Sequence, residues 1–124
     1  EDASHTFFID LKETGELIGS VGSLNIKNRE SAEFGYAIGR AWWGRGYATE
    51  ASARLLDHCF DDLGFAEMYA HAMTRNPASI RVLQKLGMRS EGVIPNLCEK
   101  DGEHFDAEGF TITREQWQAR ERDD

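Results

Sequence analysis

The sequence predicts a mixed α/β (α+β) domain, with strands and helices in the order β-β-β-α-β-α-β-β. Short runs rich in β-forming residues indicate the strands, and two longer segments with apolar residues at helical spacing indicate the helices. Asparagine, proline and glycine stand where those helices should begin and end. Strands and helices interleaved in this way favour helices packed on a sheet. The chain has 124 residues, so we expect residues 1–124 to form one domain.

The first two predicted strands form a hairpin. They are residues 6–11 and 17–24, and a turn with the sequence ETGE separates them. Gly19 and Gly22 lie inside the second strand, which indicates a bulge or a close approach of the backbone. Residues 26–31 are polar and are predicted to form a turn.

Residues 32–38 form the third predicted strand. Phe34, Tyr36 and Ile38 share one face at a period of two, and Glu33 lies on the other. Tyr36, like Trp42 and Trp43 further on, either packs in the core or forms a wall of a site at the following turn, and for Tyr36 we expect the core.

A glycine-rich turn and a helix follow the third strand. Gly39, Gly44 and Gly46 lie within eight residues, and the helix begins directly after them. An apolar stripe on this helix predicts the face that is buried. The helix is predicted to end at Leu63-Gly64. The stripe consists of Ala48, Ala51, Leu55, Cys59 and Leu63, widened by Ser52, Leu56 and Phe60.

The fourth strand and the second helix come next. Residues 67–73 are strand-like, and Asn76 then caps a helix that has Pro77 at its first position. Gly87 is predicted to follow the end of this helix. Its inner face carries Ile80, Leu83 and Leu86.

The C-terminal part is predicted to add two strands and a short helix. Residues 88–94 form a strand interrupted by one glycine, residues 95–103 form a loop, and residues 104–113 contain the last strand. Thr113 and Gln116 fit a capping box that opens the C-terminal helix.

The charge balance narrows the classes of partner. Lys and Arg number 14 and Asp and Glu number 22, which gives a net charge of −8. This charge disfavours nucleic acid, because it repels a phosphate backbone. It suits a cationic partner such as an amine, a polyamine or a basic peptide. The alternative is that the charge serves solubility alone.

The cysteines and the apolar runs predict the compartment. Cys59 and Cys98 lie far apart with no metal-ligand spacing, so neither a disulfide framework nor a metal site is expected. Cys59 is instead predicted to be a small buried hydrophobe. No apolar run is long enough to span a membrane, and residues 1–5 lack the features of a signal peptide. We therefore expect a cytoplasmic protein that does not engage a membrane.

The glycine-rich turn is the strongest local signal of chemistry. The first amides of a helix have no partner within the helix and carry partial positive charge, and glycines let a phosphate approach them. Gly44, Gly46 and the amides of Tyr47 and Ala48 could bind a pyrophosphate, with Arg45 as an added cation. The alternative is a turn that only joins two elements. The dinucleotide fingerprint lacks its third glycine here, and no GxxxxGK[ST] is present.

Together these segments resemble the GNAT superfamily of N-acetyltransferases, and within it the branch of the ribosomal-protein N-terminal (alanine/serine) acetyltransferases. The likeness covers nearly the whole chain, and the order and spacing of its motifs are more specific than any one motif. The motifs are TGELIG at residues 14–19, AEFGYAI at 32–38, WWGRGYATEA at 42–51, NPAS at 76–79, LGM at 86–88 and GEHFD at 102–106.

The resemblance implies transfer of an acetyl group from acetyl-CoA to a primary amine, with no metal. It implies a mixed, largely antiparallel sheet flanked by helices, in which two central strands splay apart to admit the pantetheine arm. It also implies that the Ile38 N–H polarises the thioester carbonyl. Trp43 stands where the family usually has Gln or Arg, so one polar side chain is lost. The residues implied to hold the pyrophosphate, mainly through backbone amides, are Trp43, Gly44, Arg45, Gly46, Tyr47 and Ala48.

Catalytic roles follow from the same resemblance and from the chemistry. The attacking amine must be neutral, and Glu33 is the candidate general base, with His71 on the next strand as a second candidate. Asn76 and Ser79 match a motif that lies near the CoA sulfur and pantetheine, and Ser79 is the candidate general acid. Leu83 occupies the position of the tyrosine that many members use as the acid, so that role is not carried over.

The N-terminal strand and helix pair that usually precede the first strand in that family are expected to be missing from this chain. They form much of the acceptor wall, so a second copy in a homodimer is one way to complete it. Three functions stay open from the sequence. They are an N-acetyltransferase acting on a protein N-terminus or a small amine, an acyl-CoA-binding or regulatory domain without turnover, and a different nucleotide-binding domain.

Overall fold

A computed structural model describes residues 5–24 and 30–122 of the chain. Six strands form one sheet in the order β1-β2-β3-β4-β6-β5. Only the pair β3–β4 is parallel, and the other neighbouring pairs are antiparallel. This arrangement confirms the predicted mixed, largely antiparallel sheet with helices packed on it. The elements are β1 (His5–Asp10), β2 (Leu17–Leu24), β3 (Ser31–Ile38), α1 (Tyr47–Asp57), β4 (Glu67–Met73), α2 (Pro77–Lys85), β5 (Arg89–Lys100), β6 (Glu103–Thr113) and α3 (Arg114–Arg122).

The core lies between the sheet and the helices. Side chains from all three helices share one buried cluster with alternate residues of the strands. Cys59 belongs to this cluster, as predicted, and burial raises the pKa of its thiol to about 11. The helices contribute Leu55, Leu56, Leu83 and Trp117 among others, and the strands contribute Phe34, Met68, Ala70, Phe110 and Ile112.

The parallel strands β3 and β4 separate after a short stretch of pairing. Only Ser31–Glu33 of β3 pairs with Glu67–Tyr69 of β4. Both strands continue beyond this point, β3 to Ile38 and β4 to Met73, without pairing to each other. The sheet therefore opens at the carboxyl ends of its two parallel strands, which is where a ligand is expected to enter an α/β fold.

Local capping explains where the helices begin. Asn76 Oδ1 accepts a hydrogen bond of 3.2 Å from the Ser79 N–H at the start of α2, with Pro77 at the first helical position. Thr113 and Gln116 form both bonds of a capping box at the start of α3, at 3.0 and 3.1 Å. Both caps were predicted from the sequence. A five-residue π-helical turn, His58–Asp62, extends α1 to the predicted end at Leu63-Gly64.

The predicted loop at residues 95–103 is wrong. Strands β5 and β6 form one long hairpin, joined by Asp101 and Gly102 at φ values of 54° and 81°. Positive φ at both central residues is typical of a type I′ turn, which joins antiparallel strands tightly. Pro95 is tolerated because β5 is an edge strand and its pairing with β6 is irregular between Ile94 and Cys98.

The predicted turn at residues 26–31 lies mostly outside the described residues, which resume at position 30. Among the residues that the structure describes, no helix is long and apolar enough to cross a membrane.

Candidate active site

A cavity of about 580 Å³ lies at the opening between β3 and β4. The end of β3, the turn after it and the first turns of α1 and α2 form its walls. Most of the predicted site residues line it, which brings together parts of the chain that lie up to about 50 positions apart. The lining residues are Tyr36, Ala37, Ile38, Trp42, Trp43, Gly44, Gly46, Tyr47, Ala48, Thr49, Asn76, Ala78, Ser79, Arg81, Val82 and Lys85.

The start of α1 presents free backbone amides to this cavity. Gly46 is the N-cap residue, with φ of 84°, and it carries no side chain to cap the helix. The first bond of the helix is from the Glu50 N–H to the Gly46 carbonyl oxygen, so the amides of Tyr47, Ala48 and Thr49 have no partner within the helix. Three unpaired amides beside the positive end of a helix dipole form an anion site.

The end of β3 supplies another backbone donor. The Gly39 N–H donates to the Ile18 carbonyl oxygen of β2 at 2.8 Å. Because amides alternate in direction along an antiparallel ladder, the Ile38 N–H points away from β2, toward the opening. The Trp43 Nε1–H donates to the Ile38 carbonyl oxygen at 2.7 Å. Trp43 therefore holds the turn against the strand end although 61% of its surface is exposed.

Tyr36 combines the two roles that the sequence offers as alternatives, packing in the core and lining the site. It packs against the core cluster, as expected, but its hydroxyl reaches the cavity and donates a hydrogen bond of 3.0 Å to Ser79 Oγ. Burial raises the pKa of Tyr36, and the hydrogen bond to Ser79 opposes that rise. The phenol is therefore protonated throughout the physiological pH range.

The cations of the cavity lie on α2. Arg81 and Lys85 line the wall, whereas Arg45, predicted as the added cation, is exposed and does not line the cavity. The spacing of positions 78, 81, 82 and 85 on a helix capped by Asn76 is a signal that could have identified this face. Both cations can balance the charge of an anionic ligand bound at the start of α1.

Glu33 and His71 form a pair that does not line the cavity. His71 Nδ1 lies 3.0 Å from Glu33 Oε2. Both side chains lie on the sheet face opposite the core, with about a fifth of their surface exposed, 24% for His71 and 19% for Glu33. Glu33 is the last residue of β3 that pairs with β4, so the pair lies where the opening between the strands begins. The sequence had offered these residues as separate candidates.

Comparison with known proteins identifies the family. A family model described as an acetyltransferase (GNAT) domain matches residues 1–89. The chain belongs to the GNAT acetyltransferase family. The six-stranded sheet, with its opening between two parallel strands, is the form that the GNAT fold takes in this chain.

The relatives of this GNAT chain are longer proteins. It is 33% identical to the uncharacterised N-acetyltransferase p20 of Bacillus licheniformis over 94% of its own length and 66% of p20. It is 31% identical to the FsC-acetyl coenzyme A-N(2)-transacetylase of Aspergillus fumigatus, over 71% of the chain and 38% of that protein. The chain thus spans less than two thirds of either relative.

The fold is also that of a solved polyamine acetyltransferase. The spermidine/spermine N-acetyltransferase SpeG from Vibrio cholerae superposes with a TM-score of 0.85 at 27% identity. The match covers 95% of this chain and 69% of SpeG. This similarity lies outside the ribosomal-protein branch that the sequence motifs resemble.

Proposed function

We propose that this protein is an acetyl-CoA-dependent N-acetyltransferase that moves the acetyl group to a primary amine by direct attack. The observation that carries the proposal is the uncapped start of α1, which opens onto the same cavity as the Ser79 hydroxyl. The cavity therefore combines a helix start that can bind phosphate with a hydroxyl group, that of Ser79, which can hydrogen-bond to a thioester.

The residues present fit coenzyme A. The amides of Tyr47, Ala48 and Thr49 would hold its diphosphate, and Gly44 and Gly46 leave room because neither has a Cβ atom that would project toward the ligand. Arg81 and Lys85 would neutralise part of its phosphate charge. One relative is itself named an acetyl coenzyme A transacetylase, which supports the same cosubstrate.

The Ile38 N–H is the proposed donor to the acetyl carbonyl. It faces the opening between the strands, and its position is set by the β2–β3 ladder before any ligand binds. A fixed donor of this kind stabilises the negative charge that develops on the carbonyl oxygen during attack. When bound, acetyl-CoA supplies the activated acetyl group.

The Glu33–His71 pair is the proposed base. The amine must lose a proton to form an amide, and the pair can accept it directly or through water. Its place at the start of the opening lets an amine approach from the sheet face opposite the helices while the cosubstrate lies on the helix side.

Asn76 and Ser79 complete the proposed machinery at the start of α2. Asn76 fixes the first turn of the helix by capping the Ser79 N–H. Ser79, the candidate acid, is proposed to assist departure of the sulfur by donating a hydrogen bond to it.

The acceptor is proposed to be a small cationic amine. The net charge of −8 attracts cations, and SpeG, with a similar fold, is named for spermidine and spermine. A protein N-terminus, implied by the ribosomal-protein branch, is the second candidate acceptor.

We also propose that two copies pair, because the edge strands β1 and β5 expose Phe8 and Val93 at 73% and 54% of their surfaces. Light scattering at working concentration should give the mass of a dimer, and a monomer mass would contradict pairing.

Release of free thiol from acetyl-CoA tests the activity. The acceptors to compare are spermidine, a short basic peptide with a free N-terminus and the same peptide with every amine acetylated. We expect thiol release with a free amine and none with the blocked peptide. Binding of acetyl-CoA without release for any free amine would favour the alternative, a non-catalytic acyl-CoA-binding domain.

A further inference from the structure

The contact between Tyr36 and Ser79 joins the two sides of the cavity. Tyr36 belongs to β3 and Ser79 to the first turn of α2, and a hydrogen bond of 3.0 Å links these two walls of the cavity. The sequence resemblance gives Tyr36 no catalytic role, and its position at a period of two with Phe34 predicted a core residue.

The hydroxyl proton of Ser79 is not used in its hydrogen bonds to Tyr36 and Asn76. A serine hydroxyl has one proton to donate and two lone pairs to accept with. Tyr36 fills one lone pair, and Asn76 caps the Ser79 N–H. Within residues 5–24 and 30–122, the Ser79 hydroxyl proton has no acceptor, and Ser79 lines the cavity.

We propose that Tyr36 is a positioning residue, which turns the Ser79 hydroxyl proton toward the sulfur of bound coenzyme A and strengthens it as a donor. This inference rests on the proposed function. A donor into one lone pair of an oxygen directs the remaining proton away from that donor and polarises the hydroxyl. Because burial keeps Tyr36 protonated, it acts as a constant donor.

The transfer balances without a proton from either residue. The cationic acceptor first gives one proton to water and attacks as the neutral amine. The amine nitrogen then bonds to the acetyl carbon, the carbon–sulfur bond breaks, and its electron pair leaves on sulfur. The proton lost by the amine goes to the Glu33–His71 pair, and the thiolate takes a proton from water. Ser79 and Tyr36 keep their protons and stabilise the charge on sulfur by hydrogen bonding.

The pKa of the thiol of bound coenzyme A measures this effect, and the measurement needs no amine substrate. The thiolate is followed by ultraviolet absorbance through a pH titration of the complex, and the complex with desulfo-coenzyme A serves as the blank that cancels tyrosine absorbance. Arg81 and Lys85, the charged side chains of the cavity wall, are unchanged in all variants. Tyr36→Phe keeps the ring in the core and removes only the hydroxyl.

We expect Tyr36→Phe to raise the pKa of the bound thiol by about 0.5 to 1, a three- to tenfold change in its acid constant. Ser79→Ala should raise it at least as much. The double variant should match Ser79→Ala alone, because Tyr36 acts through Ser79. Tyr69→Phe, on the opposite sheet face, is the matched control and should keep the parent value.

Two results would overturn the inference. One is an equal thiol pKa in the parent and in Tyr36→Phe, and the other is a further rise on adding Tyr36→Phe to Ser79→Ala. A parent protein that binds no coenzyme A would instead contradict the proposed function itself, so the two failures are distinguishable.

Discussion

Gly19 and Ala37 approach so closely across β2 and β3 that a Cβ atom on Gly19 would lie 2.1 Å from the Ala37 carbonyl oxygen. The sequence predicts a bulge or a close approach at this glycine, and the structure shows both, because the pairing of β2 with β1 also shifts register beside Gly19. Gly19 pairs with Ile38, whose amide faces the cavity. The shape of the cavity wall thus depends on a glycine in the neighbouring strand.

Gly19→Ala should therefore destabilise the protein. The added methyl group forces the two backbones apart, and we expect a loss of about 1–3 kcal/mol in the free energy of unfolding. Gly109→Ala is the matched control, because its Cβ atom would meet nothing nearer than 3.7 Å. Denaturant unfolding measures both. Equal losses in the two variants would contradict the close approach.

The cations on α2 should matter more for cosubstrate affinity than the cation in the turn. Arg81→Ala and Lys85→Ala should each weaken acetyl-CoA binding about fivefold at low salt, with a smaller effect at high salt. Arg45→Ala should change affinity less than either, because Arg45 does not line the cavity. Calorimetric titration at two salt concentrations provides the comparison, and the reverse ranking would contradict this placement.

Glu33→Gln should lower kcat by about a hundredfold and leave acetyl-CoA affinity unchanged. The rate should fall because Glu33 belongs to the proposed base with His71. The affinity should not change because Glu33 does not line the cavity. His71→Asn should lower kcat in the same direction, since it removes the partner of the carboxylate. Steady-state rates and calorimetry separate the two effects. Unchanged kcat in both variants would exclude this pair as the base.

Stability should fall at alkaline pH because of Cys59. Burial raises the pKa of its thiol from 9.0 to about 11, so between these values the unfolded chain has lost the proton that the folded chain keeps. The contribution of the Cys59 thiol to the free energy of unfolding is complete below pH 9. It decreases as the pH rises toward 11, by at most about 1.4 kcal/mol per pH unit.

Cys59→Ala should flatten this slope in the free energy of unfolding measured between pH 9 and 11. The same substitution at Cys98, on the edge strand β5, controls for loss of a thiol. The raised pKa of Tyr36 acts in the same direction in all these proteins. A slope that does not change in Cys59→Ala would contradict the burial effect.

Elements fixed by local chemistry were predictable from the sequence. The cap at Asn76, the capping box from Thr113 to Gln116 and the end at Gly64 each involve residues a few positions apart. Their hydrogen bonds depend on neighbouring residues, so the residue types alone indicate them. The hairpin of β5 and β6 was missed because Pro95 and the glycine at position 92 indicate a break, although Asp101-Gly102 is a turn signal that predicts the pairing.

Long-range relationships were not predictable. Period two assigned Tyr36 to the core face correctly, but its hydroxyl partner Ser79 lies 43 positions further along the chain. Helical spacing places Arg81 and Lys85 on one face of α2, but only the tertiary structure shows that this face lines the same cavity as the start of α1. The Glu33–His71 contact likewise depends on the parallel pairing of two strands, which no local pattern specifies.

The most direct test of the central claim is calorimetric titration of acetyl-CoA into the protein and into two glycine variants. Gly46 and Gly102 both have φ above 80° and open space around them, so leucine strains both backbones alike. Of these two glycines, Gly46 lines the cavity and Gly102 does not. Saturable binding by the parent and Gly102→Leu, lost in Gly46→Leu, is the predicted result. No binding by the parent, or equal binding by both variants, would contradict a cosubstrate site at the start of α1.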